Sequence, residues 1–290
     1  MGECCRSASY ADHAWQGTAR VIENVPVARD TCRVRLVCSA IARRIVPGQF
    51  VMLRLAGNND PLLGRPLALY DVVFGESGEP EGLDIVYQVV GKMTRRLAAE
   101  KPGAILEVWG PLGNGFPPTE TQHLVMVAGG IGQTPFLALA RQVLGRQTYG
   151  DPARPAPRAK QVTLCYGCRT GEFLAGVDDF RLSGVEVRLS TDDGSVGHCG
   201  PVTELLAPAI EASSLPCRVV ACGPEGMLAA TARLAQRLGV PCQISMESPM
   251  ACGIGICFSC VTKIRDAAGQ WDYRRICVEG PVFDAADVEF

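Results

Sequence analysis

The chain of 290 residues and 30.9 kDa is long enough for about two domains with a small appendage. Its 28 Lys plus Arg against 30 Asp plus Glu give a formal charge of −2, which excludes the clustered positive field that nucleic acid or an anionic membrane surface requires. At 47% hydrophobic and 20% charged, it is expected to bury a real core and not to be disordered.

Residues 1–14 are small and polar and read as a flexible tail, with Cys4 and Cys5 as incidental thiols. The opening lacks the continuous apolar core of a signal peptide, and its Met-Gly start only resembles a myristoylation site. From Thr18 to Val108, six short apolar runs are punctuated by glycine and proline: TARVIENVPV, TCRVRLVCSA, QFVMLRL, RPLALYDVVF, LDIVYQVV and AILEVWG. Such spacing predicts an antiparallel barrel, assigned to residues 15–118. Cys32, Val34, Leu36 and Cys38 alternate within one run, so they share a face and are expected in the core.

At GPLGNGFPPTE the texture changes. A buried strand (HLVMVAGG) leads into a helix (TPFLALARQVLGRQ), and further strands alternate with the helices VTELLAPAIEA and PEGMLAATARLAQRLG. Alternation of this kind predicts βαβ units on a mainly parallel sheet, the nucleotide-binding type of domain, assigned to residues 119–244. Between them TYGDPARPAPRAK reads as an exposed loop. The longest apolar stretch, Leu124 to Ala140, is interrupted by Gly129, Gly130, Gly132, Gln133 and Pro135, so no membrane span is predicted and a cytoplasmic protein is expected. Residues 245–290 are glycine- and cysteine-rich and read as a third, small domain.

Fourteen cysteines in a chain of this length are too dilute for a disulfide-stapled domain and point to metal or redox chemistry. Cys252, Cys257 and Cys260 have the C-x4-C-x2-C spacing of a plant-type 2Fe-2S loop, and Cys277 supplies a distant fourth thiolate. Gly253 and Gly255 let bare backbone wrap inorganic sulfide. A zinc knuckle or plain buried thiols are the competing readings. The histidines, His13, His123 and His198, show no protease or triad spacing.

A second signal is AGGIGQTP, between strand and helix, where Gly129, Gly130 and Gly132 would let a pyrophosphate approach backbone at a helix N-terminus. It departs from G-x-G-x-x-G, and gains weight from a second strand-to-helix turn, Cys222-Gly223-Pro224. A third is Arg65-Pro66-Leu67-Ala68 with Gly91-Lys92-Met93-Thr94, where an arginine fork and a helix start suit a diphosphate. Arg95 and Arg96 read as a solvated face that also favours diphosphate. Asp192 and Asp193 are read equally as ribose ligands or as a turn. Cys165 and Cys168 have redox-pair spacing, but their place at a strand end favours inert thiols, and Cys199, Cys217 and Cys242 are expected as filler around the sheet.

Together the order of these motifs, GPLGNGF, AGGIG, DDGS-x-G, CGP, MACGIGICFSC and ICVEGPVF, resembles the electron-transfer subunits of B-type, NAD-linked dihydroorotate dehydrogenases, within the ferredoxin–NADP reductase superfamily, over residues 18–290. The resemblance implies FAD bound through Arg65, Pro66, Leu67 and Ala68, through Val86, Tyr87 and Gln88, and through Met93 and Thr94. It implies a 2Fe-2S cluster on Cys252, Cys257, Cys260 and Cys277, and NAD with Cys222 near the nicotinamide. Ala68 stands where relatives have serine and Met93 where they have glycine, so those flavin contacts are expected to rest on backbone donors. The implied partner is an FMN-containing dihydroorotate dehydrogenase catalytic subunit, in a heterotetramer with two copies of each. Ferredoxin reductases that use NAD(P)H and sulfhydrogenase small subunits share this layout and are the alternative. From another class comes a redox sensor that binds flavin or zinc.

Overall fold

The computed structural model describes residues 10–57, 59–266 and 268–290. Seven strands form the first sheet: β1 (Trp15–Ala28), β2 (Thr31–Val37), β3 (Phe50–Leu55), β4 (Arg65–Ala68), β5 (Asp71–Phe74), β6 (Pro80–Gln88) and β7 (Ile105–Leu112). Their order is β4-β3-β7-β1-β2-β6-β5, antiparallel throughout. The run RPLALYDVVF, read as one strand, is two. At Leu69 and Tyr70 the chain leaves β3 for β6, with Leu69 N–H donating to Gln49 O and Tyr70 N–H to Asp84 O. Two residues therefore join the two outermost strands, which is possible only if the sheet curls until its edges meet, as the barrel assignment requires. Val34, Leu36, Leu83 and Ile85 fill its interior with Ile41 of the short helix α1 (Ser39–Ala42). Cys38 is buried among them and Cys32 packs against them half-buried. Helix α2 (Lys92–Ala99) closes one end through Met93 and Leu97.

The second sheet holds β8 (His123–Gly129), β9 (Gln161–Cys168), β10 (Glu186–Thr191), β11 (His198–Cys199), β12 (Cys217–Cys222) and β13 (Cys242–Ser245). Its order β11-β10-β9-β8-β12-β13 is parallel, and it reverses direction between β8 and β12, so a crevice opens where those two strands end. Residues His123–Ala128 of β8 are all buried, as a parallel strand covered on both faces must be. Around the sheet lie α3 (Phe136–Val143), α4 (Val177–Leu182), α5 (Leu206–Glu211) and α6 (Glu225–Arg237). The segment TPFLALARQVLGRQ is shorter as a helix than its pattern predicts. Gly130–Gln133 form a 3-10 turn before it, and Gly145, at φ +66°, ends it in the left-handed conformation that suits glycine.

The last segment forms a hairpin of β14 (Val261–Arg265) and β15 (Trp271–Arg275), then β16 (Val282–Asp284). The hairpin is its own sheet, whereas β16 pairs antiparallel with β13 and so extends the second sheet. Asn114 of the GPLGNGF turn fastens this segment, donating to Glu279 O and Val282 O and accepting from Val282 N–H. At the other end, residues 1–9 of the expected tail lie outside the described residues. Tyr10–His13 form a 3-10 turn whose His13 carbonyl accepts from Arg44, so order begins before Trp15. The 148–160 loop is also not wholly exposed, because Tyr149 is buried and donates to Asp71 of β5 at 2.6 Å. Gln147 and Arg141 reach the same carboxylate, so barrel and nucleotide domain share a buried polar clamp.

Candidate functional site

A groove of about 880 Å³ runs between the barrel, the β8 and β12 turns and the cysteine loop. Arg65, Pro66, Leu67 and Ala68 line it from edge strand β4, where Pro66, lacking an N–H, does no harm to the ladder. Arg65 spends Nη1 on the carbonyls of Leu63 and Gly64, which folds its guanidinium onto the groove wall. Val86, Tyr87 and Gln88 line it from β6. The Tyr87 ring, however, lies in the barrel core with its hydroxyl on Asn24 Oδ1 at 3.0 Å, so this residue offers the groove its backbone and not its phenol.

Met93 and Thr94 complete the wall at the start of α2. The Thr94 hydroxyl is occupied by its own turn, accepting from the N–H groups of Val90 and Gly91 at 3.1 Å each. What this turn can give a diphosphate is the remaining N–H groups and the positive end of the helix. Thr94→Val should leave two part-buried donors without this acceptor, lowering stability by about 1 kcal/mol. Urea unfolding, followed with flavin titration, should show that loss together with weaker flavin retention.

The crevice of the second sheet holds another cavity of about 590 Å³, lined by Gly129, Gly130, Gly223 and Pro224. Gly130 has φ +56° and open space where a Cβ would stand, so its backbone meets the cavity bare. Gly132 plays a different part from the one its motif implied. A Cβ there would lie 2.2 Å from Cys222 O, so this glycine lets the two turns pack and does not itself face the cavity. Asp192 lines the cavity, whereas Asp193 accepts from the N–H and hydroxyl of Ser195 within its own turn. Cys165 and Cys168 are buried in separate cores on opposite faces of β9, which rules out a redox pair. Cys242 is buried and Cys217 half-buried, as filler should be, but Cys199 is exposed.

Gln88, Ile131 and Glu247 border both cavities, so the groove and the crevice meet at one seam. Cys222 faces the groove side, its thiol 4.0 Å from Glu247 Oε1. Burial, followed by the nearby Glu247 charge, drives the Cys222 thiol far up, so it stays protonated and is no nucleophile. The crowded crevice likewise raises Glu247. Sequence reasoning missed Glu247, which carries no motif of its own; only its closeness to the cysteine loop hinted at it.

The cysteine loop closes the end of the groove with Met250, Ala251 and Ser259. Gly253 (φ +73°) and Gly255 (φ +83°) take left-handed turns, and a Cβ on Gly253 would strike Met52 of β3 at 2.6 Å. Trp109 of β7 donates its indole N–H to Cys252 O at 2.9 Å, tying the loop to the barrel. Cys260 and Cys277 are buried with Phe50, Met52, Leu112 and Met250, while Cys257 is exposed. Hydrogen bonds from Ser259, then contact with Cys252, lower Cys257 to about 6. Cys260 is lowered to about 6 and Cys277 raised, chiefly because the pair shares a proton.

Cys257 interacts with Cys252, and Cys277 with both Cys260 and Cys252, so the four thiols lie in one neighbourhood. Four thiolates are the donor set of a 2Fe-2S centre, and the residues present fit it.

Comparison with known proteins decides the family. The iron–sulfur cluster binding domain of dihydroorotate dehydrogenase B matches residues 247–289, and the oxidoreductase NAD-binding domain matches residues 126–233. The chain is 35% identical, over 95% of its length and 99% of theirs, to the dihydroorotate dehydrogenase B (NAD(+)) electron transfer subunit of Caldanaerobacter subterraneus. It is 37% identical, over 90% of this chain and 94% of that one, to the subunit of the same name from Geobacillus kaustophilus. This chain belongs to the dihydroorotate dehydrogenase B electron transfer subunits. Among solved structures, the NADH-dependent reduced ferredoxin-NADP oxidoreductase is similar at TM-score 0.76 and 27% identity, covering 93% of this chain and 89% of that one. The ferredoxin reductase of carbazole 1,9a-dioxygenase shares the fold at TM-score 0.64 and 23% identity, over 79% and 67%. The chain is thus an NAD-linked oxidoreductase component, and no helix among its described residues is long and apolar enough to cross a membrane.

Proposed function

We propose that this chain carries electrons between a dihydroorotate-oxidising catalytic subunit and NAD+, holding FAD in the groove, NAD in the crevice and a 2Fe-2S cluster on Cys252, Cys257, Cys260 and Cys277. FAD held there would supply both hydride exchange with nicotinamide and single-electron exchange with an iron–sulfur centre, joining a two-electron to a one-electron carrier. The observation that carries this reading is that one groove is walled at once by the barrel (Arg65 to Ala68), by the nucleotide turn (Cys222) and by the cysteine loop (Met250, Ala251). Barrel residues would hold the flavin, and Gln88, Ile131 and Glu247 form the seam at which a nicotinamide would meet it. Gly129, Gly130, Gly223 and Pro224 offer backbone to the dinucleotide, and Gly132 permits their approach.

The partner is an FMN-containing dihydroorotate dehydrogenase subunit, in an assembly of two chains of each kind. The absence of any disulfide among the twelve described cysteines suits a reducing cytoplasm. Relatives at 35–37% identity bear the dihydroorotate dehydrogenase name, against 27% for the ferredoxin-linked structure, which favours this partner over the alternative. NAD+ reduction by dihydroorotate should occur only when both chains are mixed. Activity toward ferredoxin, with none from the mixture, would transfer the assignment to the ferredoxin-linked reading.

A further inference from the structure

The cysteine loop is clasped from two sides. Trp109 holds its start, and Arg275, at the end of β15, holds its tip. The Arg275 guanidinium donates Nη1 to Gly255 O at 3.1 Å and lies 5.2 Å from the centroid of the Phe258 ring. Cys257 sits between those two contacts in the chain. Phe258 is 62% exposed and holds φ +56°, a left-handed conformation costly to an aromatic residue. Something must hold that strained turn, and the stacked guanidinium is the contact that does so.

Arg275 is itself held by Glu279, whose Oε2 accepts from Arg275 N–H at 2.7 Å and from Nε at 3.2 Å. Arg274 Nη1 is 3.6 Å from the other carboxylate oxygen. Both Arg275 and Glu279 side chains are about two-thirds buried, so solvent screens the pair only in part. The pair has a direction: the carboxylate grips the Nε side and the backbone, while Nη1 faces the loop. A Cβ on Gly255 would stand 3.3 Å from that Nη1, which shows how closely the cation lies against the turn.

We propose that Arg275 and Glu279 form an oriented ion pair that sets the reduction potential of the centre held by Cys252, Cys257, Cys260 and Cys277, with Arg275 also positioning the loop tip. This rests on the assignment of those cysteines above. One electron delivered to that centre, from the flavin or from the partner, adds one negative charge there. A cation nearby stabilises the added charge and a carboxylate opposes it, the more so because the loop is partly dry.

The two halves of the pair therefore have opposite signs, which a merely structural role would not give. In the purified full chain with iron and flavin loaded, Arg275→Gln should move the cluster midpoint potential negative, and Glu279→Gln should move it positive. Both are read by redox titration monitored by electron paramagnetic resonance. Arg275→Lys, which keeps the charge but loses the fork and the stack, should hold the potential near wild type while releasing iron faster to a chelator. This variant keeps the test open if Arg275→Gln loads poorly. Shifts of the same sign in both glutamine variants, or none, would overturn the proposal while leaving the function intact. Wild-type chain without iron would overturn both.

Discussion

Cys257→Ser should abolish the iron–sulfur centre and with it dihydroorotate-dependent NAD+ reduction, while flavin content and NADH oxidation by a dye stay within about twofold of wild type. The argument begins with the thiol itself. Hydrogen bonds from Ser259 lower the Cys257 thiol, which favours the thiolate, the form that binds metal. A serine hydroxyl cannot ionise there, and the loss should exceed the roughly 10- to 100-fold drop in metal affinity that removal of an outer partner brings. Flavin should survive because Cys257 does not line the groove, whose walls are Arg65 to Ala68, Val86 to Gln88 and the start of α2. The nucleotide seam at Gln88, Ile131 and Glu247 is equally untouched. Iron and sulfide analysis, the paramagnetic signal after dithionite and the dye rate check the three parts separately. Loss of flavin or of dye reduction along with iron would show that the loop and the groove are not separable modules.

Much of this architecture is legible in the chain because its strongest signals are local. C-x4-C-x2-C names its chemistry by spacing, and the glycines of AGGIG and ACGP mark strand ends where backbone must come close. The roles of single residues are less legible because they depend on partners distant in sequence. Thr94 looks like a ligand donor until Val90 and Gly91 are seen to occupy its hydroxyl. Tyr87 is named with Val86 and Gln88 as a flavin contact, but its phenol goes to Asn24 across the barrel. Gly132 reads as a pyrophosphate glycine, but the carbonyl of Cys222, ninety positions on, is what forbids a side chain there. The split of RPLALYDVVF has no local mark either, since no glycine or proline stands at Leu69 and Tyr70; barrel closure alone breaks the run.

The clamp between barrel and nucleotide domain was wholly illegible, and its loss should be the largest stability effect in the molecule. Asp71 lies on β5, is 4% exposed and accepts from Tyr149 Oη at 2.6 Å, Gln147 Nε2 at 3.0 Å and its neighbour Val72 N–H at 2.9 Å. Arg141 of α3 pairs with its second oxygen and also donates to Ser183, which extends the network to α4. Beside it Tyr70 donates to Asp179 at 2.7 Å, so two adjacent barrel residues hold the same face of the second domain.

Asp71→Ala would leave the Arg141 cation and the Tyr149 hydroxyl half- or fully buried without their acceptor, and breaking one side of such a pair costs about 3–5 kcal/mol. Asp71→Asn, which still accepts hydrogen bonds but carries no charge, should cost less. Tyr70→Phe, losing one bond between domains, should cost only about 1 kcal/mol. Because the groove and the crevice meet at Gln88, Ile131 and Glu247, a loosened clamp should also slow hydride exchange without removing iron. Urea unfolding read by flavin fluorescence should rank the variants Ala, Asn, Phe from most to least destabilised. An Asp71→Ala midpoint equal to that of Tyr70→Phe would mean that the carboxylate does not hold the two domains together.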